Sequence, residues 1–152
     1  PQLKLHVREG VPQELEQGLD RGDYDFILTM LPMHSSENRV RPLFIEPISL
    51  VMSRDHPLAQ KDELVGKDLY NHMGIAFMPG LYIHARIMEE DQLKVMDLRD
   101  EKIRRTHVAS WRKNAPSRHL FQKISYDIKT IAMELFDDIL EEVNTEDNPD
   151  FK

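Results

Sequence analysis

Residues 40–59, Val-Arg-Pro-Leu-Phe-Ile-Glu-Pro-Ile-Ser-Leu-Val-Met-Ser-Arg-Asp-His-Pro-Leu-Ala, restrict the possible folds more than any other stretch of this chain. Val40–Ile45 reads as a short strand. Pro47 breaks it, Pro47–Ser53 reads as a second strand, and Asp55-His56-Pro57-Leu58-Ala59 reads as a polar turn. Pro42 and Pro47 lack amide donors, which confines the first strand to an edge or a bulge. In the turn, Asp55 is expected to cap and Pro57 to set the backbone.

The residues before this stretch have the pattern of a strand, a helix and a second strand. Leu3, Leu5 and Val7 alternate with Lys4, His6 and Arg8, the period of a half-buried strand. Glu9-Gly10 ends it, and Pro12 suits the first turn of a helix. Val11, Leu15 and Leu19 then recur every four residues, and Glu14 and Glu16 sit near the positive helix start. Gly18 costs that helix about 1 kcal/mol relative to alanine, which points to close packing on a sheet. Gly22 stops the helix, and Tyr24–Leu31 is a near-continuous apolar run, the pattern of a strand buried on both faces with helices on both sides. The sequence thus predicts a parallel crossover unit.

Beyond the central stretch, residues 54–66 are rich in turn formers. Ile75–Met78 is a short apolar strand between Gly74 and Pro79-Gly80. Tyr82–Met88 reads as a short helix; Leu93, Val95 and Met96 open a strand, and Thr106–Arg112 forms another. Ser117 is placed to cap a long helix. Its stripe is Leu120, Ile124, Ile128, Ile131, Leu135, Ile139 and Val143, widened by Phe121, Ala132 and Phe136, and expected to pack on the sheet. Lys123, Asp127, Lys129 and Glu134 mark the polar face.

With 152 residues, 40% of them hydrophobic, the chain can bury the core of one domain. No apolar run reaches the roughly 18 residues of a membrane span, and no signal-peptide pattern opens the sequence. There is no cysteine, so no disulfide and no thiolate metal site; a reducing, cytoplasmic location is expected. The net charge of −7 is uneven. Seven acidic residues and one lysine fall within 137–152, an acidic tail expected to be solvated, which leaves the body near neutral. A neutral body without a basic face argues against direct nucleic-acid binding by this chain.

No cluster of residues announces catalysis. His6, His34, His56, His72, His84, His107 and His119 never fall at the helical spacings that aim two ligands at one ion, so neither metal nor cofactor is expected. Ser35 and Ser36 beside His34, and Ser53 near His56, are only sequence neighbours. A nucleophile, a base and an oxyanion hole must converge in space. The chain has no Gly-x-Ser-x-Gly elbow and no phosphate-cradling glycine loop. A ligand site is more readily placed where strands end, because open parallel sheets bind ligands beyond their carboxyl ends. There the Tyr24–Leu31 strand presents Thr29, Met30, Leu31 and Pro32.

The order of these pieces resembles the effector-binding domain of LysR-type transcriptional regulators. Leu3–Val7 with Glu9-Gly10 resembles the family's second strand and its exit, and Leu15–Leu19 its second helix. Gly22-Asp23-Tyr24-Asp25-Phe26-Ile27 resembles its strand entry, and Leu43–Ser53 with His56-Pro57-Leu58-Ala59 the next strand pair and turn. Gly74-Ile75-Ala76-Phe77-Met78-Pro79 resembles a strand of the second lobe, and Phe121 lies where the closing helix begins. The resemblance implies an α/β, periplasmic-binding-protein-like (type II) two-lobed fold, here incomplete. Residues 1–69 would form the first lobe and 70–98 a remnant of the second. Residues 99–143 would return to the first lobe with the closing helix, and 144–152 would be the acidic tail.

It further implies a non-enzymatic sensor that binds a small-molecule effector between its lobes. Thr29, Met30, Leu31 and Pro32 would border the site, and Gly74, Phe77 and Pro79 would face it from the other lobe. Expected partners are that effector, further copies in a homodimer or homotetramer, and DNA through a separate N-terminal domain absent from this chain, with no membrane. A solute-binding receptor of periplasmic-binding-protein type is the alternative, and an enzyme on the same scaffold a third reading that no motif supports. Within Asp68-Leu69-Tyr70-Asn71-His72-Met73-Gly74 the family pattern has a further segment of about half a domain. The expectation is that the numbering closes over residues between Leu69 and Gly74, because a direct join would leave Ile75–Met78 without neighbours and with bare edges.

Overall fold

The computed structural model describes residues 3–88 and 90–144, so the acidic run from 145 onward lies outside the described residues. Helix α1 (Pro12–Arg21) starts on its proline and ends at Gly22, whose φ of 89° is the left-handed cap that glycine adopts without strain. Gly18 is required by a side chain, not by the sheet: a Cβ there would collide with the Tyr24 ring. Strand β1 (Ile27–Met30) follows.

Strand β2 (Asn38–Ser53) runs unbroken for 16 residues, in contrast to the two strands expected around Pro47. Up to Pro47 it pairs with β5 (Arg104–Arg112); from Ile48 it pairs with β3 (Ile75–Pro79), and over Leu50–Ser53 also with β4 (Leu93–Met96). The missing Pro47 donor falls where the strand exchanges partners, so no ladder bond is lost inside either half. Pro42 sits at a register shift between Pro42 and Phe44, the bulge its chemistry calls for.

The strand order is β1-β5-β2-β3, with β4 also on β2, and every ladder is antiparallel. The predicted parallel crossover unit is therefore not formed. Residues 3–10 adopt no regular structure, and Leu3, Leu5 and Val7 are 55%, 69% and 83% exposed. Alternation makes a strand only when a neighbour supplies ladder bonds, and the described chain places none beside this segment. Tyr24–Leu31 is likewise not buried on both faces. Only Ile27–Met30 is strand, an edge strand with Ile27 and Thr29 buried and Leu28 exposed.

Two apolar clusters lie on either side of the partner exchange. The first gathers Leu43, Phe44, Ala109, Trp111 and Phe121 beneath α3 (Arg118–Leu135), with Phe26 stacked on Trp111 at 6.0 Å. The second gathers Leu50, Met52, Leu58, Leu64 and Leu98. Each fully buried leucine here contributes about 1.5–3 kcal/mol. Two short 3-10 turns, Pro57–Gln60 and Gly66–Leu69, feed the second cluster. His56, not Asp55, caps the first of them: its Nδ1 accepts the Leu58 amide at 3.1 Å.

Between Leu69 and Gly74 the chain is not extended but makes a tight reversal. His72 N donates to Leu69 O at 3.3 Å, and Asn71 and Gly74 take positive φ to make the reversal. Nor is β3 left without a neighbour, because β2 supplies one. Helix α2 (Gly80–Arg86) follows.

Helix α3 stops at Leu135, short of the predicted stripe's end at Val143. Asp137 and Asp138 come next, where negative charge opposes the helix dipole. Glu141 then exchanges both backbone hydrogen bonds with Ile45 at 2.9 Å, giving that segment partners outside a helix. Phe121, Ile124, Ile128 and Ala132 pack inward, whereas Leu120, Ile131 and Leu135 are exposed, so the stripe is only partly core.

Candidate functional site

The exchange point of β2 carries the most concentrated polar chemistry of the described chain. Glu46 is fully buried, one residue before Pro47. Its carboxylate accepts from Arg105 Nε at 2.7 Å, from His107 Nε2 at 2.6 Å and from the Leu81 amide at 2.9 Å. An ionised carboxylate only accepts, so His107 Nε2 carries the hydrogen in this pair. Burial pushes the Glu46 carboxyl up, but hydrogen bonds from His107, Arg105 and Leu81, together with the Arg105 charge, outweigh it and hold the pKa at about 2. Glu46 thereby ties β5 of the first cluster to the start of α2.

Beside this knot lies a cavity of about 370 Å³. Pro47, Ile48 and Leu50 form one wall; Leu98, Ile103 and Arg104 come from the return of the chain; Leu140 and Glu141 follow α3. Both signs of charge line it: Lys102 and Arg104 stand with Asp97, Glu101, Asp137 and Asp138, and Arg104 is paired to Glu141 at 3.2 Å. The walls belong to both clusters, so an occupant would touch both halves.

The residues singled out from the sequence are distributed unevenly about this junction. Thr29 is buried, and its hydroxyl makes no hydrogen bond among the described residues. Met30 Sδ lies 4.0 Å from the Arg105 guanidinium, and Leu31 N donates to Thr106 O at 2.9 Å. Pro32 is exposed in the loop that follows. Pro79 pairs with Ile48 and lies two residues before Leu81, so Met30 neighbours the Glu46 knot through Arg105 and Pro79 through Leu81. Phe77 pairs with Leu50, further along β2, and is half exposed; Gly74 lies beyond it near His56. The structure thus groups Met30 and Pro79 but not Gly74 and Phe77. Glu46, Arg105, His107 and Arg104 were missed. A lone carboxylate inside an apolar strand was the only available signal, because its partners lie 59 and 61 residues away in sequence.

The near-neutral total also concealed a basic face. Arg39, Arg41, Lys113, Arg118 and His119 line one cavity with Trp111, correcting the expectation that the body has none.

This mixed α/β architecture has the fold of OxyR regulatory domains. Residues 1–72 match the family model described as the LysR substrate binding domain. The HTH-type transcriptional regulator MetR of Escherichia coli (strain K12) is 30% identical over 69 residues, 45% of this chain and 22% of that protein. The match thus spans less than a quarter of the relative's own length. Among solved structures, the reduced form of OxyR superposes with a TM-score of 0.76 at 19% identity, covering 86% of this chain and 82% of that one. The OxyR regulatory domain C199D mutant from Pseudomonas aeruginosa gives 0.73 at 18% identity and 82% coverage of each chain.

Proposed function

We propose that this chain is the sensing part of a LysR-type transcription regulator and that its effector occupies the cavity at the β2 partner exchange. One observation carries this reading: a cavity of metabolite size is walled by both apolar clusters at the point where one strand leaves one and enters the other. An occupant that contacts the two halves differently in two arrangements shifts the balance between them. The mixed-sign lining suits a small zwitterion, such as an amino acid, better than a simple anion. None of Thr29, Met30, Leu31, Pro32, Gly74, Phe77 and Pro79 lines this cavity; of these, Met30 and Pro79 are proposed to act on it indirectly, through Arg105 and Glu46.

The output would be control of DNA binding by another part of the protein, within a homodimer or homotetramer. Exposed Ile131 and Leu135 on α3 offer a face for such pairing. A cytoplasmic, non-catalytic role fits this reading, and no described helix is long and apolar enough to cross a membrane. Several OxyR structures are described by reduced and oxidised forms or by cysteine substitutions. This chain has no cysteine, so no thiol within these 152 residues takes part in sensing.

The test is a thermal-shift screen of amino acids and small carboxylates, followed by calorimetric titration of any stabiliser. Ile48→Trp fills the cavity and is expected to abolish binding, and Arg104→Gln to weaken it. A stabiliser that binds Ile48→Trp as well as it binds the wild type would refute the assignment.

A further inference from the structure

We infer that the first half of the molecule holds a second, separate site for a small organic or inorganic polyanion. The site is the cavity of about 510 Å³ around Trp111. Its position follows from the ladder. Arg39 lies opposite Trp111 and Arg41 opposite Ala109, so both arginines share the sheet face on which α3 packs. Arg118 and His119 open α3 and close the cavity from above, while Lys113 enters from the end of β5. The nearest point of the first site, Pro47, is six residues along β2 from Arg41, roughly 20 Å of strand.

Three features point to an anion. No acidic residue lines the cavity. The side chains of Arg39, Arg41, Arg118 and His119 have no hydrogen-bond or ion-pair partner among the described residues; only Lys113 does, donating to Ser36 O at 2.7 Å. Arg118 and His119 also occupy the wrong helix end: the first turn of α3 contains no acidic residue and no capping side chain, so two basic groups sit at the positive end of the dipole. Such a cluster repels itself in the free protein. An anion removes that repulsion, and guanidinium forks match the planar oxygens of carboxylate and phosphate. Buried Trp111 supplies an apolar floor. A solvated, purely superficial charge cluster is the competing account.

Trp111 is the single tryptophan and lines this cavity, so its fluorescence is a probe at the site. The complete 152-residue chain is titrated at low ionic strength with pyrophosphate and with citrate, which separate phosphoryl from carboxylate recognition. At least one of the two is expected to change the Trp111 emission saturably, and added salt to weaken it. Arg41→Gln and Arg118→Gln are each expected to lower affinity about tenfold or more. Arg99→Gln, which breaks a surface pair with Glu63 elsewhere, is expected to leave affinity unchanged. Arg118 is exposed at a helix start, so its variant reads the site even if Arg41→Gln fails to fold. The inference is overturned if neither anion alters the emission, if the Arg118→Gln protein binds as tightly as the wild type, or if only duplex DNA binds this face.

Discussion

Glu46 shows how one residue can set the acid response of the whole chain. Its carboxyl titrates at about 2 in the folded state against 4.5 when unperturbed, so its pKa is depressed. A depressed carboxyl adds stability above the unfolded value and loses it as pH falls through the folded value. The contribution is on the order of 3 kcal/mol, complete above about pH 5 and lost progressively between pH 4.5 and 2. Glu46→Gln is expected to destabilise the protein at pH 7 by about 3–5 kcal/mol, since Arg105 loses its buried counter-charge and the amide NH2 turns a donor toward donors. Urea unfolding at pH 7 and pH 3 checks both points: the variant's stability should change less between the two than the wild type's. Gly22 is the second residue whose conformation is decisive. With φ at 89°, Gly22→Ala is expected to cost about 1 kcal/mol in the same assay.

Among the elements, the clearest contrast is between two apolar patterns of similar strength. Leu3, Leu5 and Val7 alternate as a strand should, yet they are exposed and unpaired. Replacing all three with serine is therefore expected to change stability by less than about 1.5 kcal/mol, because surface substitutions rarely exceed about 0.5 each. Leu43 lies in the first cluster at 2% exposure, and Leu43→Ala is expected to cost about 2–5 kcal/mol. Chemical denaturation of the two variants decides whether the first segment contributes to the fold. Helix α3 makes the same point: its periodicity continues to Val143, but two aspartates and the Ile45–Glu141 exchange end the helix at Leu135. The beginning of α1, its glycine stop, β4 and β5 were legible because proline, glycine and alternation act locally. The partner exchange at Pro47 was not, because it depends on which strands lie beside β2.

At the scale of the molecule, two clusters joined by β2 imply two regions that open separately. Leu64→Ala, in the second cluster, is expected to speed amide exchange in residues 48–53 and 93–96 more than in 106–111. Exchange read by mass spectrometry after proteolysis tests this, and uniform acceleration would show that the clusters unfold as one. The same division bounds the cavity proposed for the effector. Its walls come from β2, the 97–104 return and the residues after α3, which local patterns cannot bring together. Thr29, Met30, Leu31 and Pro32 were expected from strand-end reasoning and Gly74, Phe77 and Pro79 from the family resemblance; Met30 and Pro79 lie beside partners of the polar knot, and none of the seven lines the cavity.

Hydrophobic period, helix stops and the order of short motifs were enough, from the sequence alone, to define an α/β chain resembling LysR-type effector domains. Those signals are short-range, and they survive whatever packs around them. Tertiary structure alone decided the antiparallel ladders, the exposure of Leu3–Val7, the Glu46 knot and the basic cavity at Trp111. Each of these depends on groups tens of residues apart meeting in space, where burial and charge pairing are settled by neighbours rather than by sequence spacing.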